Sequence, residues 1–240
     1  MKATRKEAAS GPLERQARQA LHTAGASLAR LERACARPVA GAAEAMIACL
    51  ASGGTIYFCG NGGSAADAQH IAAELSGRYR LERPALAAIA LSTNSSALTA
   101  IGNDYGYEFV FSRQLEGLGA PGDVLVAITT SGGSKSVIRA VEVAHQCGMT
   151  VIGMTGSKGG RFAALCDLAL VTPSDSTPRI QEGHITMGHI VCEMVEVALF
   201  GGAAGSPGAL RGLPVAKSGA DGARRPRAAR PRSRTTRRAR

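Results

Sequence analysis

The sequence predicts an α/β fold: a three-layer αβα sandwich around a five-stranded parallel sheet, with helices ahead of the first strand. Three observations carry this expectation. Short apolar runs alternate with helical stretches from residue 55 onward. The runs at 55–59, 86–91, 124–129, 150–154 and 168–172 are apolar throughout rather than at every second position, which marks strands covered on both faces. The chain before the first run is rich in Ala, Arg and Glu, with apolar residues near helical spacing. Such a β/α alternation places ligands at the C-terminal ends of the strands.

Taken in order, residues 1–12 read as a flexible N-terminus, 13–200 as one domain including the leading helices, and 201–240 as a disordered tail of Gly, Ala, Pro and Arg. A long helix is expected over 13–37. Pro38 stops it and serves as the first-turn residue of a second helix, 39–50. These two helices have no place inside a βα repeat, so they either pack against a partner subunit or cap the sheet. Helices at 64–76, 94–102, 107–118, 134–146 and 160–165 separate the strands, and one at 180–200 closes the domain.

Composition narrows the class. Apolar residues make up 45% and aromatics 4%, with no Trp, so the core is built from Ala, Val, Leu and Ile. No apolar run approaches the ~20 residues of a membrane helix, and the N-terminus lacks a signal-peptide core. Cys35, Cys49, Cys59, Cys147, Cys166 and Cys192 are scattered and mostly within apolar segments, which suits reduced thiols in a cytoplasm. The net charge of +10 lies entirely in residues 211–240, which hold 11 Lys/Arg against Asp221 alone. Such a tail is either a solvated extension or a salt-dependent nucleic-acid contact, and no aromatics interleave for base stacking.

The first strand runs into Gly60-Asn61-Gly62-Gly63 and a helix expected to open at Ser64, with Ser64 as N-cap and Asp67 in the positive first turn. Glycines and a helix N-terminus together favour an anion, although such a turn can also serve only to reverse the chain. His70 and Glu74, at i and i+4, share one helical face, either as a metal or acid/base pair or as a solvated surface pair. The third strand ends in Thr129-Thr130-Ser131-Gly132-Gly133-Ser134, a second hydroxyl- and glycine-rich loop with Ser134 as N-cap. Two such loops at neighbouring strand ends point to a phosphate. Asn103-Asp104 is either a turn or a pair of sugar-hydroxyl ligands. On the last helix, His189 aligns with Glu182 better than with Gln181, while His184 points elsewhere.

Together, Cys-Gly-Asn-Gly-Gly-Ser at 59–64, Ala-Gln-His-Ile-Ala-Ala-Glu-Leu at 68–75, Gly-Asn-Asp at 102–104, Thr-Ser-Gly-x-Ser at 130–134 and Arg-Ile-Gln-Glu-x-His at 179–184, extended to His189, resemble the sugar isomerase (SIS) domain and, within it, the phosphoheptose isomerases. The resemblance spans about 13–200 and implies a flavodoxin-like sheet. It implies one Zn²⁺ per subunit held by His70, Glu74, Gln181 and His189, and so sets Gln181 above Glu182. It also implies a substrate site lined by Asn61, Gly62, Gly63, Ser64, Glu74, Asn103, Asp104, Thr129, Thr130, Ser131, Ser134 and Gln181, in a cytoplasmic homotetramer.

The activity so implied converts D-sedoheptulose 7-phosphate to D-glycero-D-manno-heptose 7-phosphate through an enediol, with Glu74 as base and His189 as acid, as the first step towards activated heptose. Thr129 stands where that family usually has Ser, Gly133 where Asn is common, and the arginine-rich tail has no counterpart. A rival resemblance, in stretches such as 83–91 and 98–104, is to a non-catalytic SIS adaptor, the DnaA initiator-associating protein. That protein departs from the catalytic pattern at the positions matching Glu74 and His189, and this chain keeps both.

Overall fold

The computed structural model describes residues 11–201. Residues 1–10 and 202–240 lie outside the described residues, and with them nearly all of the two expected terminal segments. Five parallel strands, β1 (Ile56–Gly60), β2 (Ala88–Ala90), β3 (Val124–Ile128), β4 (Thr150–Gly156) and β5 (Leu168–Thr172), form one sheet in the order β2-β1-β3-β4-β5. This is the flavodoxin-like order, in which the chain reverses direction across the sheet between β1 and β3.

The continuous apolar runs are explained by burial on both faces. Ile56, Phe58, Val124, Val126, Ile128, Ile152 and Met154 join one core, beneath α1 (Pro12–Ala51), α2 (Gly63–Ser76) and α7 (Thr177–Phe200). Tyr57, Cys59, Leu125, Ala127 and Val151 join the other, with α5 (Lys135–Gln146), Phe162 of α6 (Gly160–Ala163) and the segment between β2 and β3. That segment holds α3 (Ser95–Asp104), a 3-10 turn (Tyr107–Phe109) and α4 (Ser112–Leu118). The single helix expected over 107–118 is therefore two pieces, because Val110 and Phe111 turn inward and are fully buried between them.

The expected break at Pro38 is absent. α1 runs unbroken for 40 residues, about 60 Å at 1.5 Å per residue, with Pro38 inside it. A mid-helix proline forfeits one hydrogen bond and crowds the preceding turn, at a cost of ~3 kcal/mol. Here one buried stripe crosses it: Leu31, Cys35, Val39, Ala42, Ala43 and Met46 face the sheet and α7 on either side. Packing of that stripe outweighs the local penalty. An 18-residue window of α1 also reaches a mean hydropathy of 1.3, apolar enough by length and composition to cross a membrane, contrary to the expectation. Small alanines supply most of that value, and the part of α1 from Leu31 to Leu50 packs its buried stripe on the sheet and α7.

Candidate active site

In the parallel register Gly60 of β1 lies beside Ile128 of β3, so the two glycine-rich loops emerge side by side at the topological switch point. The first turns at Gly62, whose φ of +56° suits glycine, and α2 begins at Gly63. Ser64 is therefore the second helical residue and not the N-cap; it is buried and makes no side-chain cap, and Asp67 falls beyond the first turn. Gly62 reverses the chain two residues earlier than a serine cap would. Gly60 has no room for a side chain, since a Cβ there would sit 2.7 Å from the Ser64 carbonyl oxygen.

Asn61 joins the loops. Its Nδ2 donates to Ser134 Oγ (2.7 Å) and Ser136 Oγ (2.9 Å), while its Oδ1 accepts from the Tyr107 hydroxyl (2.9 Å). Ser134 does occupy the N-cap of α5, but its hydroxyl is engaged with Asn61 rather than capping. In the same loop Thr129 is buried with its N–H on the Met154 carbonyl, and Ser131 Oγ accepts from Gly133 N (3.2 Å). Gly132, at φ +72°, passes so close to Gly159 that a Cβ would lie 2.7 Å from its Cα. An open cavity of about 350 Å³ lies against this junction, lined by Asn61, Gly106, Tyr107, Glu108, Ser134, Lys135 and Ser136. Asn103 and Asp104 end α3 and are exposed, hydrogen-bonded to each other at 2.8 Å.

The second half of the site lies between α2 and α7. At 100° per residue Gly63, His70 and Glu74 form one stripe on α2. Gln181 faces Gly63 closely enough that a Cβ there would run into the Gln181 amide nitrogen. Two turns further on, His189 meets His70, with Nε2 to Nε2 at 3.0 Å, and His70 Nε2 lies 3.2 Å from Glu74 Oε1. The ligand atoms of His70, Glu74 and His189 fall within 4.8 Å of one another. Zinc bonds of about 2.0–2.1 Å in a tetrahedral site set neighbouring donors about 3.3 Å apart, so these two imidazoles and a carboxylate fit Zn²⁺ in both chemistry and spacing. Gln181 is not brought to this cluster; its side chain rests two turns away on Gly63. Glu182, preferred by spacing, instead pairs with Arg179 at 2.7 Å, and His184 is buried in the core.

Several neighbours escaped the sequence reading. Tyr107 and Ser136 tie down Asn61, and the Tyr79 ring stacks on His189 at 5.8 Å between centroids. Ser136 stands two residues beyond Ser134, and Tyr107 follows Asn-Asp-Tyr-Gly, so both were within reach of the motifs. Tyr79 offered no local signal.

A flavodoxin-like sheet with a hydroxyl-lined cradle at its switch point defines a SIS-type α/β protein, and the SIS domain family profile matches residues 21–156, more than half of the chain. The phosphoheptose isomerase of Rhodospirillum rubrum is 56% identical over 165 residues, covering 69% of this chain and 88% of that protein. That of Trichlorobacter lovleyi is 53% identical over 172 residues, covering 72% and 88%. Among solved structures, the phosphoheptose isomerase GmhA of Neisseria gonorrhoeae superposes with a TM-score of 0.73 at 46% identity, covering 77% of this chain and 98% of that one. The chain belongs to the SIS domain family and, within it, to the phosphoheptose isomerases.

Proposed function

We propose that this protein is an aldose–ketose isomerase that converts D-sedoheptulose 7-phosphate to D-glycero-D-manno-heptose 7-phosphate. One observation carries the reading: Gly63, where the glycine-rich loop enters α2, lies on the same stripe of that helix as His70 and Glu74 of the cluster, with Gly63 and His70 seven residues apart, about 10 Å along the axis. A sugar phosphate of seven carbons, with bonds of about 1.5 Å, spans that distance from its terminal phosphate to C1 and C2. Gly62, Gly63, Thr130, Ser131 and Ser134 hold the phosphate by backbone N–H groups and hydroxyls, Asn61, Ser64 and Thr129 shape the loops that present them, and Asn103, Asp104 and Gln181 take the sugar hydroxyls. Anchoring the far end turns remote binding energy into orientation at the reacting carbons.

Glu74 is the base. Its Oε1 is committed to the cluster, so Oε2 takes the C1 proton; O2 gains a proton to give the enediol, O1 gives one up, and Glu74 returns the proton it took to C2. His70, Glu74 and His189 would hold Zn²⁺, and the metal would act as a Lewis acid towards the sugar oxygens. An imidazole nitrogen that holds a metal carries no proton. The acid and ligand roles of His189 Nε2 therefore exclude each other within any one step.

The family resemblance further supports assembly as a homotetramer, and six free cysteines suit a reducing cytoplasm. The relatives named above are phosphoheptose isomerases, which favours the isomerase over the adaptor reading. Glu74→Gln is expected to retain sugar-phosphate binding and lower kcat by about 10²–10⁴. Turnover of sedoheptulose 7-phosphate at the wild-type rate by that variant would remove Glu74 from the mechanism.

A further inference from the structure

Behind the cluster lies an ion pair that the proposed chemistry does not use. The side chains of Arg83 and Glu196 are 1% and 2% exposed, with Nε to Oε1 at 2.9 Å. Glu196 also accepts the backbone N–H groups of Tyr79 (3.1 Å), Arg80 (2.8 Å) and Leu81 (2.8 Å). Burial alone would raise its pKa, and those N–H groups with the guanidinium reverse this, so it stays ionised with a pKa below the ordinary value. Arg83 spends its remaining donors on main-chain carbonyls: Nη2 on Glu74 O (2.8 Å), and Nη1 on Leu75 O (2.9 Å), Pro84 O (3.0 Å) and Gly77 O (3.3 Å).

The carbonyls of Glu74 and Leu75 belong to the last turn of α2, where a helix leaves acceptors unpaired and its dipole favours a cation. Arg83 is thus a C-terminal cap supplied from eight residues downstream, and one of the carbonyls it holds is that of Glu74 itself. Glu196 stands seven residues after His189, so both lie on one stripe of α7. The pieces form a closed frame. α2 and α7 are its sides, the His70–His189 contact is one end, and the Arg83–Glu196 pair is the other.

We propose that Arg83, locked by Glu196, is a positioning residue that fixes the end of α2 against α7 and thereby aims the Glu74 carboxylate at the two imidazoles. A buried ion pair is weak as a source of stability, since an apolar pair of similar volume serves as well. Its full set of hydrogen bonds instead fixes one geometry, and here that geometry includes the backbone of a proposed metal ligand and base. The segment it ties down also carries Tyr79 onto the His189 ring and Arg80 onto Glu193 (2.7 Å). The inference rests on the reading of His70, Glu74 and His189 as a metal site.

The test compares wild type, Arg83→Lys and the double variant Arg83→Met/Glu196→Leu. Melting of the metal-free proteins reports the fold, zinc affinity is measured against a chromophoric chelator, and Co²⁺ absorption reports ligand geometry. The double variant is expected to fold and to bind zinc 10–100-fold more weakly, with an altered Co²⁺ spectrum. Arg83→Lys, which keeps the charge but lacks the fork, should fall between the two. Zinc affinity and Co²⁺ spectra equal to wild type in a folded double variant would overturn the clamp alone. If the double variant does not fold, Arg83→Lys decides by the same two readouts. A wild type that takes up neither ion would sink the metal reading, and the clamp with it.

Discussion

His184 lies on the buried face of α7, fully inaccessible, and the Thr155 backbone approaches its ring without a hydrogen bond of ordinary geometry. Burial disfavours the imidazolium and lowers its pKa to about 4. Because the unfolded chain takes up that proton near pH 6.5, the group's contribution to stability is full above 6.5 and is lost as the pH falls towards 4. The loss amounts to about 3 kcal/mol across that window, at 1.36 kcal/mol per pH unit. Urea midpoints at pH 7 and pH 4.5 should therefore fall further for wild type than for His184→Leu. Equal falls would mean that His184 is not the acid-sensitive group. The sequence placed His184 off the face of His189 but could not show its burial, because burial depends on what packs against a helix. The same distinction runs through the site. His70 and Glu74 were legible because four residues on one helix fix a common face, as were the loops at Asn61–Gly63 and Thr129–Ser134, each read from contiguous residues. Arg83 and Glu196 were not, because 113 residues separate them and neither carries a local signal.

Among the elements, α1 shows tertiary packing overruling local propensity. Read locally, Pro38 ends a helix; read with its neighbours, it interrupts a stripe in which Cys35, Val39 and Ala42 are all buried. Replacement by Ala would restore an N–H able to donate to the Ala34 carbonyl and would relieve the ring's crowding of the preceding turn. Pro38→Ala is expected to stabilise the fold by about 1–3 kcal/mol, within the measured Ala–Pro difference in helices. A thermal scan should show an increase of several degrees. A decrease would mean that the pyrrolidine ring itself fills space against α1's neighbours, since Pro38 lines the groove between α1 and β5 with Arg37, Gly41 and Leu168. The strands were legible for the opposite reason. Each lies between two cores, so burial on both faces and an unbroken apolar run are the same fact seen in structure and in sequence.

Taken whole, the molecule leaves apolar surface exposed along α1 and α7, where the proposed homotetramer would seat a second copy. Leu13, Leu21 and Leu28 of α1 are 80%, 72% and 39% exposed, and Ile190, Met194 and Val197 of α7, at i, i+4 and i+7, are 42%, 37% and 56% exposed. Between the two helices runs a largely apolar groove of about 290 Å³ lined by Leu28, Leu31, Val39, Ile190 and Met194. A contiguous apolar stripe of this kind marks an interaction surface, and the homotetramer proposed above supplies its occupant. Light scattering should then find wild type near four times the chain mass of 24.6 kDa. Leu28→Glu/Ile190→Glu should shift it to smaller species, because burying two unpaired carboxylates per chain is costly. Ile190 directly follows His189, so the proposed interface and the proposed metal site draw on the same turn of α7. Loss of assembly is accordingly expected to lower turnover as well as mass. A wild type that runs as a monomer would remove the assembly from the proposal, and a double variant that keeps the wild-type mass would move the interface away from this groove.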